Sequence, residues 1–334
     1  MQGNLTCGIV PSMIVRWGLE SLEEVLAELS VSAPLLITEE LWQETELPVA
    51  QRFHGARPHA EITGVREAAE LARDADGLVA LGGGSVMDTT KAVSVQAGLP
   101  MVSIPTTYAG AEWTPFFGVR NEQTRTKDAG FDARVEGIVY EPKLTLRMPA
   151  QVTAGTALNA LTHCAEALYV PDRNDESDEH ALQGAALIAR HLPAVLDDLE
   201  DLDARTGLLE GAMHGGAALR VGMGLGHAMA QSLGGRYGVP HGAMNAICLP
   251  PALRFNADVA GDEIARLGEA MGADPAARTE ELAAIALDTR LRDYEIPRDD
   301  LGELSAATAE RGAAKANPRV ATVDEIHQLF DSVW

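Results

Sequence analysis

The sequence predicts an α/β protein in two parts, a parallel-sheet domain over residues 1–150 and an all-helical domain over residues 151–334. Three observations favour this division. Short apolar runs alternate with helical segments in the first half, one apolar run ends at three consecutive glycines, and long Ala- and Leu-rich stretches fill the second half. Strands and helices that alternate at this spacing are typical of a parallel sheet covered on both faces.

The first half contains candidate strands that are separated from one another by helical segments. The strands are predicted at residues 9–10, 34–38, 78–81 and 101–105, and the helices at 22–29, 65–75 and 85–97. Residues 116–120 and 137–140 predict two further strands on either side of a polar, glycine-containing segment. Pro142 and Pro149 mark the end of this region, which begins at residue 116.

The second half predicts helices almost throughout, because its long stretches are rich in alanine and leucine and show almost no alternation of β-branched residues. The predicted helices cover residues 156–169, 181–199, 204–222, 226–235, 245–255, 280–289 and 322–330. No internal repeat or low-complexity linker separates the halves. We therefore expect them to pack directly on one another with a cleft between them.

Composition limits the classes of function. The 334 residues include 26 basic and 49 acidic side chains, a formal net charge of −23, which disfavours partners such as nucleic acid or an anionic membrane. An anionic substrate needs a local basic pocket in such a chain. No apolar stretch approaches the roughly 20 residues that span a bilayer, and residues 1–6 do not resemble a signal peptide, so we expect a cytoplasmic protein.

Cysteines and acidic runs predict no special chemistry. Cys7, Cys164 and Cys248 are widely spaced, odd in number and without a CxxC motif, which predicts reduced thiols. The acidic runs at 172–179 and 197–203 are interpreted as solvated surface rather than as a metal site.

The glycine run is the first candidate site. Gly82, Gly83 and Gly84 end an apolar run, and Ser85 opens a helical segment. Glycines at this point let the backbone approach a ligand, and the next helix offers unpaired N–H groups at its positive end. A nucleotide pyrophosphate suits such a cradle, although any strand-to-helix crossover can carry a glycine turn. The run is not the G-x-G-x-x-G dinucleotide fingerprint.

Histidines in the second half form the other candidate site. Asn159 and His163 are four apart in a helical run and therefore share one face, His227 lies in a later helix, and His241 follows Pro240 at a loop-to-helix junction. Each histidine alone is more often a core or surface residue than a ligand. Together they suit zinc or ferrous iron, which neutral imidazole binds.

The order of these motifs resembles that of group III, iron-containing alcohol dehydrogenases, and in particular their maleylacetate reductase branch. The motifs are GGGS at 82–85, SIPTTYAGAE at 103–112, the Asn159 and His163 helix, IVYEP at 138–142, His227, PHG at 240–242 and NPR at 317–319. Asn159 stands where metal-dependent relatives usually carry aspartate. The resemblance covers nearly the whole chain.

The resemblance implies a fold and an activity. The fold is a nucleotide-binding α/β domain with a parallel sheet, followed by an all-α domain, as in dehydroquinate synthase. The activity is hydride transfer from NADH, with NADPH possible, to 2-maleylacetate, a small dicarboxylate keto acid. The product is 3-oxoadipate, formed late in aromatic ring degradation. The resemblance also implies a homodimer.

The resemblance assigns cofactor residues. They are Gly82, Gly83, Gly84, Ser85, Asp88, Thr106 and Thr107. The glycine amides and the helix dipole would take the pyrophosphate, and the two threonine hydroxyls could bind phosphate or the nicotinamide amide. Glu39 is placed like the acid that binds the adenosine ribose. A carboxylate there repels a 2′-phosphate, which predicts a preference for NADH.

Three departures from the family pattern bear on the chemistry. Asp88 and Lys91 follow the alcohol dehydrogenase version of the phosphate helix. Asn159 is neutral where a metal site needs an anion, so we expect no metal; if one binds, His163, His227 and His241 are its ligands. Gln231 stands four residues after His227, where relatives carry a second histidine, and glutamine cannot act as a general acid.

The predicted catalytic residues are His163, His227, His241 and Tyr108. His227 or His241 would stabilise or protonate the oxygen on which charge builds after hydride transfer. The substrate carboxylates need cations, although each basic residue alone is more often a surface residue than a carboxylate clamp. The candidates are Arg120, Arg125, Lys127, Arg134, Arg236 and Arg254.

Three other functions remain open at this point. Asp88 favours a metal-dependent alcohol or polyol dehydrogenase, and Asn159 disfavours it. A lyase similar to dehydroquinate synthase needs an intact metal site and more basic residues. A nucleotide-binding protein without activity is suggested only by Gln231.

Overall fold

The computed structural model describes residues 13–121 and 126–334. The chain forms two compact units. One, the sheet unit, contains the chain up to Thr106 together with Pro115–Glu141, and the other, the helical unit, contains Thr107–Thr114 and Pro142–Trp334. The predicted strand at residues 9–10, Cys7 and Arg125 lie outside the described residues.

The sheet unit contains a six-stranded parallel sheet and a two-stranded ribbon. Its strands are β1 (Ile14–Trp17), β2 (Pro34–Thr38), β3 (Gln51–Phe53), β4 (Gly77–Gly82), β5 (Met101–Pro105), β6 (Phe117–Asn121), β7 (Thr126–Gly130) and β8 (Val135–Tyr140). Its helices are α1 (Leu22–Glu28), α2 (Ile62–Leu71) and α3 (Gly84–Ala97). The strand order in the sheet is β1-β8-β5-β4-β2-β3. The central strands β2, β4 and β5 are buried along their whole length, which explains their continuous apolar sequences.

Both strands predicted at residues 116–120 and 137–140 are present, and each pairs with different strands. β6 pairs with β7 as an antiparallel ribbon, whereas β8 lies in the main sheet between β1 and β5. The residues of β8 are mostly buried and apolar, so the sheet is where they bury the larger surface.

The helical unit confirms the prediction that helices fill the second half of the sequence. Its helices are α4 (Pro142–Thr145), α5 (Ala150–Ala167), α6 (Asp175–Asp197), α7 (Leu202–Leu219), α8 (Leu225–Tyr237), α9 (His241–Asn256), α10 (Gly261–Met271), α11 (Pro275–Ala284), α12 (Leu301–Ala309), α13 (Gly312–Lys315) and α14 (Val323–Ser332). No helix in the described ranges is both long and apolar enough to cross a membrane.

Small residues let the helices of this unit approach closely. A Cβ added at Gly184 on α6 would lie 2.7 Å from Cys164 Sγ on α5 and 3.0 Å from the carbonyl oxygen of Gly211 on α7.

Cys164 and Cys248 are both buried as free thiols. Burial raises the pKa of Cys164 to about 12, so its thiol is unreactive at neutral pH.

Candidate active site

The carboxyl ends of β2, β4 and β5 meet at one edge of the sheet. Thr38 pairs with Leu81, and Gly82 pairs with Pro105. The chain runs from β2 outward to β3 and then returns through β4 to β5, so the strand order reverses at this edge. Such a reversal is where open parallel sheets bind ligands.

The glycine run lies at this edge and leaves room for a ligand. A Cβ at Gly82 would lie 2.5 Å from Val86 Cγ2, so only glycine fits there. Within residues 13–121 and 126–334, no side chain caps α3 at Gly83, and a Cβ at Gly84 would meet no neighbouring atom within 4 Å. Space therefore remains open beside the first amides of α3, which lack intrahelical acceptors. This arrangement suits a pyrophosphate.

The other predicted cofactor residues lie after β2, at the start of α3, after β5 and in the helical unit. Glu39 follows β2 directly and is half-buried. The Ser85 hydroxyl accepts a hydrogen bond from the His59 amide at 3.0 Å, and the Thr106 amide donates to the Gly82 carbonyl oxygen at 3.1 Å. Thr107 belongs to the helical unit.

Asp88 and Lys91 fasten the ribbon to α3. Asp88 Oδ2 accepts a hydrogen bond from the Gly118 amide at 3.1 Å, and Lys91 Nζ donates to the Phe116 carbonyl oxygen at 2.8 Å. Lys91 is fully buried. These contacts give Asp88 a structural role, and its role in cofactor binding stays a prediction.

A pocket of about 410 Å³ opens beyond the ends of β2 and β3. Its lining residues are Thr38, Gln43, Glu44, Glu46, Arg52 and His54. The Arg52 guanidinium donates to the carbonyl oxygens of Gln43 and Thr45, which fixes the loop after β2.

The three predicted histidines come together in the helical unit. His163 lies on α5, His227 on α8, and His241 is the first residue of α9. The rings of His163 and His227 stack with centroids 4.8 Å apart, and the His241 ring centroid lies 6.1 Å from that of His227. Burial lowers the pKa of His163 well below its ordinary value, and the two neighbouring imidazoles lower it further. His163 is therefore neutral at pH 7.

Glu166 is a buried partner of this cluster that the sequence did not single out. The carboxylate is fully buried and accepts a hydrogen bond from His227 Nδ1 at 2.7 Å. It also accepts hydrogen bonds from the backbone amides of Gly224 and His227 at the start of α8. Because both carboxylate oxygens already accept backbone N–H groups, Glu166 is assigned as the acceptor, so Nδ1 carries a proton and Nε2 is left as the available position. His227 Nε2 is buried and has no hydrogen-bond partner among the residues that the structure describes.

Two asparagines complete the cluster. Asn159 Nδ2 donates to the Ala109 carbonyl oxygen at 3.0 Å, which fixes the orientation of the amide. Asn245 Nδ2 donates to Asn159 Oδ1 at 2.6 Å and lies 3.0 Å from His241 Nε2. The amide of Asn245 therefore occupies the lone pair of His241 Nε2 and one lone pair of Asn159.

As arranged here, this donor set is poorly suited to a divalent metal. Of the four side chains that would hold it, none is anionic, and Asn159 and His241 already accept hydrogen bonds from Asn245. Over residues 13–121 and 126–334, no group of three or more His, Cys, Asp or Glu side chains is placed to bind a metal ion.

Tyr108 lies in the same unit but is fully buried beside an arginine. Arg205, also fully buried, donates to the Tyr108 hydroxyl at 3.4 Å, to Thr153 Oγ1 at 3.0 Å and to the Met148 carbonyl oxygen at 3.3 Å. Burial raises the pKa of Tyr108. This position favours a role in holding segment 107–114, whose Ala109 carbonyl orients Asn159. A direct part for Tyr108 in catalysis stays a prediction.

Three of the six predicted cations are already paired with acids. Arg134 contacts Glu136, Arg236 contacts Glu303 and Asp300, and Arg254 forms a two-pronged contact with Glu280. Arg120 lies on β6, and the side chain of Lys127 is outside the described part of the chain.

Sequence comparisons identify the family. The profile described as iron-containing alcohol dehydrogenase matches residues 16–135, and that of the C-terminal part of the Fe-containing alcohol dehydrogenase family matches residues 153–334. The chain belongs to the iron-containing alcohol dehydrogenase family. This result confirms the predicted fold and disfavours a lyase.

Several relatives within this family carry one name. The chain is 38% identical over 289 residues to the maleylacetate reductase of Burkholderia cepacia, covering 84% of this chain and 81% of the relative. It is 34% identical over 288 residues to maleylacetate reductase 1 of Rhodococcus opacus, covering 85% and 80%.

Solved structures of the family have the same fold. The maleylacetate reductase of Agrobacterium tumefaciens superimposes with a TM-score of 0.90 at 27% identity, covering 100% of this chain and 99% of that one. A 1,3-propanediol oxidoreductase superimposes with a TM-score of 0.91, also at 27% identity, covering 97% and 98%. The fold is thus shared by iron-containing alcohol dehydrogenase relatives with different substrates.

Proposed function

We propose that this chain reduces 2-maleylacetate to 3-oxoadipate with NADH. The observation that carries the proposal is the neutral histidine and asparagine cluster, in which Asn245 occupies positions that a metal would need. The identity to curated maleylacetate reductases supports the same substrate. A homodimer and a cytoplasmic location stay predictions.

The sheet unit would hold the cofactor. The open space at Gly84 and the first amides of α3 suit the pyrophosphate, and Glu39 suits the adenosine ribose hydroxyls. When bound there, NADH would supply the hydride that adds to the carbon–carbon double bond of the substrate, and one proton must follow to complete the reduction. Negative charge then develops on the conjugated ketone oxygen and must be stabilised by the protein.

His227 is the residue best placed to do this. Glu166 holds Nδ1, so a proton on Nε2 would face the reacting oxygen, and the resulting imidazolium would be balanced by the Glu166 carboxylate. His163 is kept neutral by burial and can stack on or donate to the group beside it, but it cannot supply a positive charge at pH 7.

The direct test is an assay of the purified protein with NADH and 2-maleylacetate. We expect NADH oxidation with an equal yield of 3-oxoadipate, identified by mass spectrometry. Turnover of simple alcohols and aldehydes without reduction of 2-maleylacetate would instead support an alcohol dehydrogenase. Binding of NADH without any turnover would support a protein that only binds the nucleotide.

Glu39 is expected to make NADH the preferred cofactor, because its carboxylate repels the 2′-phosphate of NADPH. We expect Glu39→Gln to narrow the ratio of kcat/KM for NADH over NADPH by about 10-fold. Glu40→Gln, the exposed neighbouring acid, should leave the ratio unchanged. A wild-type preference for NADPH would contradict this role of Glu39.

Gly84→Ala tests the phosphate cradle. The added Cβ meets no neighbouring atom of the described residues within 4 Å, so we expect the fold and Tm to be unchanged. The methyl group would instead occupy space that a phosphate needs, which should raise the KM for NADH by about 10-fold or more. Gly302→Ala on α12, where a Cβ also meets nothing, is the matched control and should leave the KM for NADH unaltered.

A further inference from the structure

Arg311, between α12 and α13, is a half-buried arginine whose contacts are all neutral. Its Nε donates to Ser232 Oγ at 2.8 Å, Nη1 to Gln231 Oε1 at 3.3 Å and Nη2 to the Gln231 carbonyl oxygen at 3.2 Å. Burial lowers the pKa of Arg311, and no acidic group in the described part of the chain raises it. A guanidinium has five N–H groups, so one N–H on each terminal nitrogen is left over.

The absence of an acid at Arg311, among the residues that the structure describes, distinguishes it from the ion-paired arginines of this unit. Arg236, Arg254 and Arg298 each lie within 4 Å of a carboxylate, in a chain whose formal net charge is −23. Arg205 and Arg290 also have neutral contacts, but Arg205 is fully buried and Arg290 is exposed. Arg311 therefore combines partial exposure with the paired N–H groups that bind a carboxylate side-on.

The position of Arg311 relates it to the histidine cluster. Gln231, which holds its guanidinium, follows His227 by one turn of α8, and residues four apart on a helix have Cβ atoms about 5–6 Å apart. In 2-maleylacetate a single methylene separates the ketone from one of the two carboxylates. A ketone oxygen at His227 Nε2 would thus leave that carboxylate within reach of the next turn of the helix.

We propose that Arg311 binds a carboxylate of the substrate and that Gln231 positions its guanidinium. The site would take dicarboxylate keto acids and discriminate against neutral aldehydes and alcohols. This inference rests on the proposed function for the identity of the substrate, but the carboxylate site itself can be tested without turnover. The role of Gln231 in this chain would then be to position Arg311, instead of taking part in proton transfer.

The test compares Arg311→Gln and Arg311→Lys with Arg298→Gln, a matched control at an exposed arginine that is paired with Asp331. We expect Arg311→Gln to raise the KM for 2-maleylacetate by about 10- to 100-fold, the usual range for a lost charged hydrogen bond, with the KM for NADH unchanged. Arg311→Lys keeps the positive charge but loses the paired N–H groups of the guanidinium, and should show a smaller rise in the KM for 2-maleylacetate. Arg298→Gln should resemble wild type.

A second arm measures binding by calorimetry, with adipate as the six-carbon dicarboxylate and adipamide as its neutral counterpart. Wild type should bind adipate more tightly than adipamide, and Arg311→Gln should lose the difference. The same result in a protein that fails to reduce 2-maleylacetate would refute the proposed function and retain the carboxylate site.

An unchanged KM and unchanged adipate binding in Arg311→Gln, with only Tm lowered, would make Arg311 a structural tie between α8 and the chain after α12. If Arg311→Gln does not fold, Arg311→Lys decides the question, because it retains the charge and can still contact Gln231. A wild-type KM and wild-type adipate affinity in that variant would overturn the proposal.

Discussion

Replacement of His227 by alanine is expected to lower kcat by about 10²- to 10⁴-fold, the range typical of a lost general acid, while the KM for NADH stays near wild type. The reason is geometric. Glu166 holds Nδ1 at 2.7 Å, and Nε2 is buried without a partner, so this nitrogen is the one available to the developing oxyanion. Steady-state kinetics with 2-maleylacetate would measure the effect.

The matched control is His327→Ala, because His327 is an exposed histidine on α14. It should leave kcat unchanged. A His227→Ala variant that folds and keeps full kcat would show that the cluster is structural. His241 would then be the next candidate, since it is the exposed member of the cluster.

Asn159→Asp is expected to make the protein depend on a metal for its stability. The new carboxylate would be almost fully buried and would face the Ala109 carbonyl oxygen, where the amide now donates a hydrogen bond. An uncompensated buried charge of this kind costs about 3 kcal/mol or more. Zn²⁺ held by the carboxylate and the histidines would offset that cost.

Thermal unfolding measures the effect. We expect Asn159→Asp to have a lowered Tm in the presence of a chelator and a higher Tm when Zn²⁺ is added. Asn256→Asp is the control, because Asn256 is also a buried asparagine, paired with Asn317 instead of with the histidine cluster. It should be destabilised without rescue by Zn²⁺. An Asn159→Asp variant with the same Tm in both conditions would contradict the interpretation that the neutral Asn159 side chain makes this cluster a poor metal site.

The sequence predicted the central strands better than the edges. β2 and β5 begin and end at the predicted residues, because strands buried on both faces have continuous apolar runs that are bounded by turns. β3, with the sequence QRF, is a three-residue edge strand whose side chains show no such run, and it was not predicted. α10 and α12 were also missed.

The site was predictable where motifs exist and not where contacts are long-range. The glycine run and the three histidines carry recognisable patterns, and the structure brings the histidines together. Glu166 contacts His227 from 61 residues away in sequence, so no local pattern reveals the pair. A lone acid in the apolar run THCAEAL was the one available signal, because a buried carboxylate needs a partner. Arg311 lies outside every motif.

The central claim is that the neutral cluster supports reduction of 2-maleylacetate without a metal. The most direct measurement is the rate of NADH oxidation before and after exhaustive chelation, together with the metal content of the same samples. We expect an unchanged rate and substoichiometric metal in both. Near-stoichiometric iron or zinc, with activity lost on its removal and restored by its return, would contradict the claim.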